Sequence, residues 1–176
     1  SGIYNVAIVT IKNDESGRRV LKWWRDRCIE WCYHRYEDGK FGDQKYLDNW
    51  PEQFEGVHVL EHKGGDVAPW NVENYELDLQ EEVVYVDEDP LIFYHYHSLK
   101  MYADGTFTLS NATYSITDVV RRLIYDPYLA EVRRLVTKVQ ADHPWFTFGF
   151  NKKPSMKDRS VALLKKIYLK VTRKVT

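Results

Sequence analysis

The sequence predicts an α/β fold, and three observations support that class. Residues 3–11, "IYNVAIVTI", are apolar at nearly every position, as in a parallel or mixed sheet strand that is buried on both faces. A helix with one apolar stripe follows, and further strand-like runs come later. With 176 residues, 44% of them hydrophobic, the chain can bury a core as one domain, alone or with a small appendage.

The first predicted helix spans about residues 18–35, and Asp14 or Ser16 is its expected N-cap. Apolar side chains recur on one side of this helix at a period near 3.6, and charged side chains occupy other positions. The apolar stripe consists of Leu21, Trp24, Cys28 and Trp31.

Shorter elements are expected after a loop at 36–42 that contains two glycines. "DQKYLDNW", residues 43–50, predicts a short helix that ends near Pro51. A hairpin is expected to turn at Asp104-Gly105. Strands are predicted at residues 57–61, 82–87 and 91–97.

Helical patterns dominate the rest of the chain. One helical stretch is predicted over 117–143, with a break around Asp126-Pro127, and a basic amphipathic helix is predicted over 155–175. This change in character places a domain boundary near residue 112. The predicted organisation is a sheet-containing region, 1–112, and a helical extension, 113–176.

The cysteines and the apolar runs of the sequence indicate the compartment of the protein. Cys28 and Cys32 lie four positions apart on one predicted helix, a poor geometry for a mutual disulfide, which indicates a reducing compartment. The sequence has no apolar run of membrane-spanning length and no signal-peptide pattern. We therefore expect a cytoplasmic protein.

Charge is distributed unevenly along the chain. Residues 152–174 hold nine Lys or Arg and one acid, which leaves 16 basic and 25 acidic residues in 1–151. The basic end predicts either a solvated helix face or contact with an anionic membrane. Nucleic acid is not an expected partner, because the chain lacks a recognisable binding motif and its pI is about 6.6.

Polar residues stand out in the first part of the chain. Asp43 and Gln44 open a predicted helix, where Asp43 is either an N-cap or a ligand-binding carboxylate that points into a cleft with the amide. Asn5 interrupts the apolar run at 3–11 and needs a partner, either a neighbouring loop or a ligand.

The loop "HKGGDVAPWN", residues 62–71, is a second candidate. Gly64 and Gly65 would let the backbone approach a ligand closely, Trp70 would offer a stacking surface, and Asn71 would add an amide. A well-packed loop with a buried Trp explains the same residues without a ligand.

Two imidazoles form a third candidate. His95 and His97 are separated by strand spacing and should share one face, where they would bind a metal or phosphate or lie exposed.

The order of these segments resembles the second half of a GT-A-fold nucleotide-sugar glycosyltransferase. The likeness is to the retaining group that includes glycogenin and bacterial lipopolysaccharide galactosyltransferases. Tyr4-Asn5-Val6-Ala7 is similar to that group's "fNsG" strand, and Asp43-Gln44 is similar to its "DQ" pair. The phrases "EDGKFGDQKYLDNWPEQF" and "HKGGDVAPWN" look like bacterial proteins of the superfamily, and the resemblance covers about residues 3–100.

The resemblance implies transfer of a sugar, most readily from a UDP-hexose, to a hydroxyl of a glycan or lipid-linked acceptor. It implies that Asp43 binds donor hydroxyls, that Gln44 lies near the reacting carbon, and that a divalent cation, Mn²⁺ or Mg²⁺, assists in the full-length parent. His97 matches the position of the family's metal-binding His, with His95 as the alternative. His62 begins a similar G…PW pattern but follows the Asp-Gln pair too closely.

One departure from the family pattern is large. The metal-binding Asp-x-Asp motif precedes the "fNsG" strand in the family, and this sequence starts at that strand. Asp87-Glu88-Asp89 has suitable residues in the wrong order along the chain. We therefore expect this chain to be inactive alone and to belong to a longer enzyme. The rival hypothesis is a non-catalytic binding or assembly module, and a sheet edge exposed by a missing half would favour self-association.

Overall fold

The computed structural model describes residues 2–153 together with Ser155, Ser160, Val161 and Leu164. It shows a mixed α/β protein with helices and three small sheets, in agreement with the predicted class. The chain divides into two compact units, Ser1–His62 and Lys63–Thr176, each with its own hydrophobic cluster.

The first unit is built around helix α1, Glu15–Glu30. Asp14 caps it by accepting a hydrogen bond from the backbone N–H of Gly17 at 2.9 Å, as predicted. A 3₁₀ helix follows at Gln44–Asn49 and continues into α2, Trp50–Gln53. The 3₁₀ helix ends near Pro51, but the chain remains helical, since Pro51 lies in the first turn of α2, where a proline leaves no N–H unpaired.

Part of the apolar face of α1 packs on these short helices, through Val20, Trp23 and Trp24. Of the predicted stripe, Leu21 is exposed and Trp31 follows the last residue of the helix. Val20, Leu47 and Trp50 are buried at the centre of the cluster. The ring of Trp24 meets that of Trp50 edge to face, with centroids 5.4 Å apart.

The strand predicted at residues 3–11 is wrong. Asn5 Oδ1 accepts a hydrogen bond from the N–H of Ala7 at 2.8 Å, and this local bond competes with sheet pairing. Ile3 and Ile8 are exposed, whereas Tyr4, Val6 and Val9 pack on the α1 cluster. The strand predicted at 57–61 is also wrong, since that segment has no regular structure.

The second unit contains the strands. β1, Gly65–Val67, pairs in parallel with β5, Phe93–Tyr94. β2, β3 and β4 form an antiparallel sheet, and β6 pairs with β7 in the predicted hairpin, which turns through Gly105 at φ 74°. Their bounds are Leu77–Gln80, Val83–Val86, Asp89–Pro90, Lys100–Met101 and Phe107–Thr108.

Helices cover these strands. α3, Asp118–Val120, passes through a π-helical turn, Arg121–Tyr125, into α4, Asp126–Asp142. The predicted break at Asp126-Pro127 is this π turn, after which Pro127 lies in the first turn of α4. None of the helices described is long and apolar enough to cross a membrane.

Tyrosines form much of the core of the second unit. The Tyr94 and Tyr125 hydroxyl oxygens are 3.5 Å apart, and Tyr96 donates to the carbonyl of Ile124 at 3.2 Å. Burial raises the pKa of all three tyrosines, so they remain neutral.

The change from strands to helices falls between Thr108 and Asp118, near the boundary predicted at residue 112. Residues from both sides of that point share one hydrophobic cluster, including Val67 and Val86 from strands and Ile124 and Leu129 from helices. The compact units instead divide after His62. The helix predicted over 155–175 lies almost entirely outside the described residues.

Candidate functional site

The loop between Gly64 and Asn71 positions the strongest candidate site. β1 occupies its first half and is fixed to the chain after β5, where the N–H of His95 donates to the carbonyl of Val67 at 2.7 Å. The N–H groups of Ile92 and Phe93 donate to the carbonyl of Gly64. These bonds hold Asp66 beside the His95 strand end.

Asp66 has an unfavourable backbone conformation and an unsatisfied side chain. Its φ of 77° lies in the left-handed region, which costs a non-glycine residue free energy. Its Oδ1 atom is buried and has no hydrogen-bond partner. Burial raises the pKa of this carboxyl, and the charge of His95 opposes that rise.

His95 has the same deficiency. Its Nδ1 atom is buried without a hydrogen-bond partner. Two further buried atoms lack partners among the described residues, Arg27 Nε and Trp50 Nε1, and both belong to the first unit. Among the described residues of the second unit, therefore, the unsatisfied buried atoms are a carboxylate oxygen and an imidazole nitrogen on adjoining segments.

Aromatic rings surround His95. The Trp70 ring meets the His95 ring at a centroid distance of 5.0 Å and the His97 ring at 5.4 Å, both edge to face. Tyr114 closes the group, 6.2 Å from Trp70 and 6.0 Å from His97. Trp70 is half-buried, so part of its surface remains available to a ligand.

Asn71 stabilises the loop. Its Oδ1 accepts a hydrogen bond from the N–H of Ala68 at 2.7 Å, and its Nδ2 donates to the carbonyl of Asp66 at 3.0 Å. These two bonds hold Asp66 in its left-handed conformation. The amide of Asn71 thus supports the loop, and the substrate-binding role predicted for this residue stays a prediction.

The remaining predicted site residues belong to the first unit. Asp43 precedes the 3₁₀ helix, but its side chain makes no capping hydrogen bond and is exposed. The carbonyl of Asp43 accepts a bond from Trp24 Nε1 at 3.0 Å, which fixes the backbone there. Gln44 is half-buried, with its Cγ close to Gly2. Asn5 uses its side-chain oxygen in the turn to Ala7.

His97 does not form a metal centre with its described neighbours. In the part of the chain that the structure describes, no three His, Cys, Asp or Glu side chains converge on one point. His97 instead contacts the rings of Trp70, His95 and Tyr114. The side chains present therefore do not by themselves fit a divalent cation, and no chemical step is assigned to one here.

Sequence reasoning brought together Trp70, His95 and His97 as candidates, and the structure places them in one cluster. It missed Asp66 and Tyr114. The signal for Asp66 was present, because a carboxylate directly after two glycines and before the apolar "VAP" is unusual. Tyr114 lies outside any regular element, and no local pattern indicates its position.

Comparison with known proteins gives two relatives from Bacillus subtilis (strain 168). The chain is 35% identical over 161 residues to "Uncharacterized protein YfnD". The matched residues make up 90% of this chain and 51% of YfnD. The chain is 30% identical over 157 residues to "Uncharacterized protein YfnF", covering 89% and 50%. The chain thus spans about half the length of the curated relatives it matches. No family model and no solved structure matches it.

Proposed function

We propose that this chain is the sugar-binding half of a nucleotide-sugar glycosyltransferase with a GT-A-like fold. The longer parent enzyme would transfer a hexose, most readily from a UDP-hexose, to a hydroxyl of a glycan or lipid-linked glycan. One observation carries the proposal: Asp66 Oδ1 and His95 Nδ1 are buried without partners on adjoining segments, and the ring of His95 contacts that of Trp70.

Unsatisfied buried groups of this kind favour a ligand that supplies the missing hydrogen bonds. Leaving a buried acceptor or donor unpaired costs about 1–3 kcal/mol per group. A carboxylate only accepts, so the ligand must donate to Asp66, while neutral imidazole Nδ1 donates or accepts according to its tautomer. Hydroxyl groups do both, and a sugar carries several at adjacent positions.

Trp70 supports the same ligand class. A sugar ring has an apolar C–H face as well as polar edges, and an indole presents a flat apolar surface. The contacts of Trp70 with His95 and His97 fix its orientation before a ligand arrives. A ligand on this surface would therefore gain affinity without ordering the ring.

Asp43 and Gln44 keep the roles that the resemblance implies. The Asp43 carboxylate is exposed and is not used for helix capping, so it is available to accept hydrogen bonds from donor hydroxyls. The divalent cation that the resemblance implies for the parent enzyme would need ligands beyond the group described around His97.

Titration of the chain with UDP-glucose, UDP-galactose, free hexoses and UDP tests the proposal. In nuclear magnetic resonance spectra, a sugar with two adjacent free hydroxyl groups, added at millimolar concentration, should shift the resonance of the Trp70 indole N–H. Asp66→Asn should weaken this binding at least tenfold, about the value of one charged hydrogen bond. Trp70→Ala removes the reporting indole, so its weaker binding is measured by calorimetry. Asp142→Asn changes an exposed carboxylate at the end of α4 and is the matched control.

Three results would separate the alternatives. Binding of sugars with turnover in the longer protein supports the transferase. Binding without turnover there indicates the non-catalytic module. Absence of any sugar-dependent change at Trp70, with the fold intact by circular dichroism, would remove the basis of the proposal.

A further inference from the structure

We propose that residues 143–150, "HPWFTFGF", form an aromatic docking loop that inserts into the headgroup region of an anionic lipid bilayer. This inference does not depend on the proposed function. It rests on the exposure of the aromatic side chains, on the anchoring of the loop at both ends, and on the charge of the chain that follows.

The aromatic side chains are unusually exposed. Trp145 is 65% exposed and Phe148 is 58% exposed, and their ring centroids are 5.9 Å apart. Phe146 lies 4.8 Å from Phe148 and 6.4 Å from Phe150. Together they form a contiguous apolar surface, which a monomeric soluble domain rarely presents to water without a binding role.

Hydrogen bonds fix the start of the loop to the end of α4. The N–H of His143 donates to the carbonyl of Val139 at 2.7 Å, and that of Phe146 donates to the carbonyl of His143 at 2.9 Å. Gln140 Nε2 donates to the carbonyl of Phe146 at 3.4 Å. The exposed apolar surface therefore continues from the last turns of α4.

The end of the loop is fixed to the β6–β7 hairpin. The N–H of Asn151 donates to the carbonyl of Met101 at 2.8 Å, and Tyr102 and Asn151 form a parallel bridge. Lys153 then pairs with Asp104. Because both ends are held, the aromatic residues between them are presented outward, and ordering them on a surface requires little loss of backbone entropy.

The positive charge of the residues after the aromatic docking loop favours a lipid surface as its binding partner. Basic residues begin directly after the loop at Lys152, and residues 152–174 contain nine Lys or Arg and one acid. Trp and Phe beside Lys and Arg are typical of segments that lie in the membrane interface, where rings occupy the headgroup level and cations contact anionic lipids. A protein partner or a second copy would need a complementary surface of matched shape, which nothing in the described residues indicates.

Co-sedimentation of the full chain with vesicles tests this inference. Vesicles of phosphatidylglycerol and phosphatidylcholine should bind it, and vesicles of phosphatidylcholine alone should bind it at least tenfold less. Trp145→Ala/Phe148→Ala should weaken binding to the anionic vesicles about tenfold. Lys165→Gln/Lys166→Gln should weaken it about fivefold for each lysine at low salt. Leu79→Ala/Ile92→Ala removes two exposed apolar residues elsewhere and should leave binding unchanged.

Fluorescence adds a readout that a purely electrostatic tail would not change. Brominated lipids should quench the wild-type tryptophan emission on binding, and Trp145→Phe should remove most of that quenching. Equal binding by the Trp145→Ala/Phe148→Ala variant, or quenching that survives Trp145→Phe, would overturn the insertion of the loop. Self-association in ultracentrifugation that the double variant abolishes, without vesicle binding, would replace the bilayer with a second copy.

Discussion

The two compact units differ in the buried polar atoms that lack partners among the described residues. In the first unit these atoms are the donors Arg27 Nε and Trp50 Nε1, whereas in the second they include a carboxylate oxygen of a residue with a positive φ. In Ser1–His62, Asn5 bonds to its own backbone two residues on, and the exposed Asp43 carboxylate faces solvent. In the second unit, Asp66 is held at a positive φ with a buried, unpaired oxygen, and His95 has a buried, unpaired nitrogen.

This difference indicates where a ligand contributes most. A polar residue satisfied by water or by its own chain gains little from a ligand. A strained residue with a buried unpaired atom costs stability until a partner arrives, and such residues concentrate at functional sites. We therefore place the principal sugar contacts in the loop at Gly64–Asn71.

The largest expected effect concerns catalysis in the longer protein. Asp43→Asn should lower kcat for UDP-hexose turnover by about 100-fold or more, because hydrogen bonds from donor hydroxyls to this carboxylate should strengthen in the transition state. Asp66→Asn should mainly raise KM, because Asp66 is assigned to binding. Steady-state kinetics of both variants measures the separate changes in kcat and KM. Unchanged turnover in Asp43→Asn would refute its role.

The next effect is on stability. Asp66→Asn and Asp66→Gly should each raise the free energy of unfolding by about 1 kcal/mol while sugar binding is lost, because both tolerate a left-handed φ and remove a desolvated charge. Denaturant unfolding measures this gain. Asp87→Asn is the matched control: Asp87 also has a positive φ, 53°, but its carboxylate accepts bonds from Glu76 and Lys63, so this variant should be less stable.

The stability gain should depend on pH. Burial raises the pKa of Asp66 in the folded chain, so its ionisation opposes folding. The neutral Asp66 carboxyl contributes to the free energy of unfolding. This contribution is complete below the ordinary pKa of Asp and is lost as pH rises through the pKa of Asp66 in the folded chain. Part of the advantage of Asp66→Asn should therefore disappear below about pH 3.8. A gain that is the same at all pH values would assign the effect to backbone strain alone.

Sequence patterns predicted elements whose signals are local. The Asp104-Gly105 hairpin and an N-cap at Asp14, one of the two expected positions, depend on neighbouring residues, and both are confirmed. The α1 stripe is confirmed only in part, because Leu21 is exposed and Trp31 follows the last residue of the helix. The apolar run at 3–11 has the composition of a strand, yet Tyr4, Val6 and Val9 pack on the cluster around α1 and the run forms no strand. Tertiary contacts decide whether such a run pairs in a sheet or packs on a helix. The periodicity of the sequence therefore could not distinguish the two.

The candidate site shows the same limit. Residue types identified Trp70, His95 and His97, because aromatic and imidazole side chains in loops are conspicuous. The significance of Asp66 depends on its φ and on the absence of a partner for Oδ1, and neither property is encoded by residue type. Tyr114 joins the cluster only through the folding of the chain after β7.

A smaller effect concerns the ion pair that follows the aromatic docking loop. Hydrogen bonding from Lys153 lowers the pKa of Asp104 to about 2. The ionised Asp104 carboxylate stabilises the folded chain. This stabilisation is present above the ordinary Asp pKa of 3.8 and is lost as pH falls through about 2. Hydrogen exchange at the Asn151 N–H should therefore accelerate below that range, relative to its intrinsic rate. In Asp104→Asn, exchange should already be faster at neutral pH.

The smallest effect contrasts the two cysteines of the first unit. Burial raises the pKa of Cys28 from 9.0 to about 11, whereas Cys32 is exposed. Iodoacetamide at about pH 8 should therefore modify Cys32 first, since the Cys28 thiolate is about 100-fold less populated than in an ordinary cysteine. Mass spectrometry of Cys32→Ser and Cys28→Ser gives the two rates. Faster modification of Cys28 would contradict the packing of α1.

The central claim is that a sugar hydroxyl completes the hydrogen bonding of Asp66 and His95. Nitrogen-15 magnetic resonance of the imidazole rings tests it most directly, with His95→Gln to assign the signal. We predict that a bound hexose shifts the Nδ1 resonance of His95 and that Asp66→Asn removes the shift. A hexose that binds the chain but leaves His95 Nδ1 unchanged would contradict the claim.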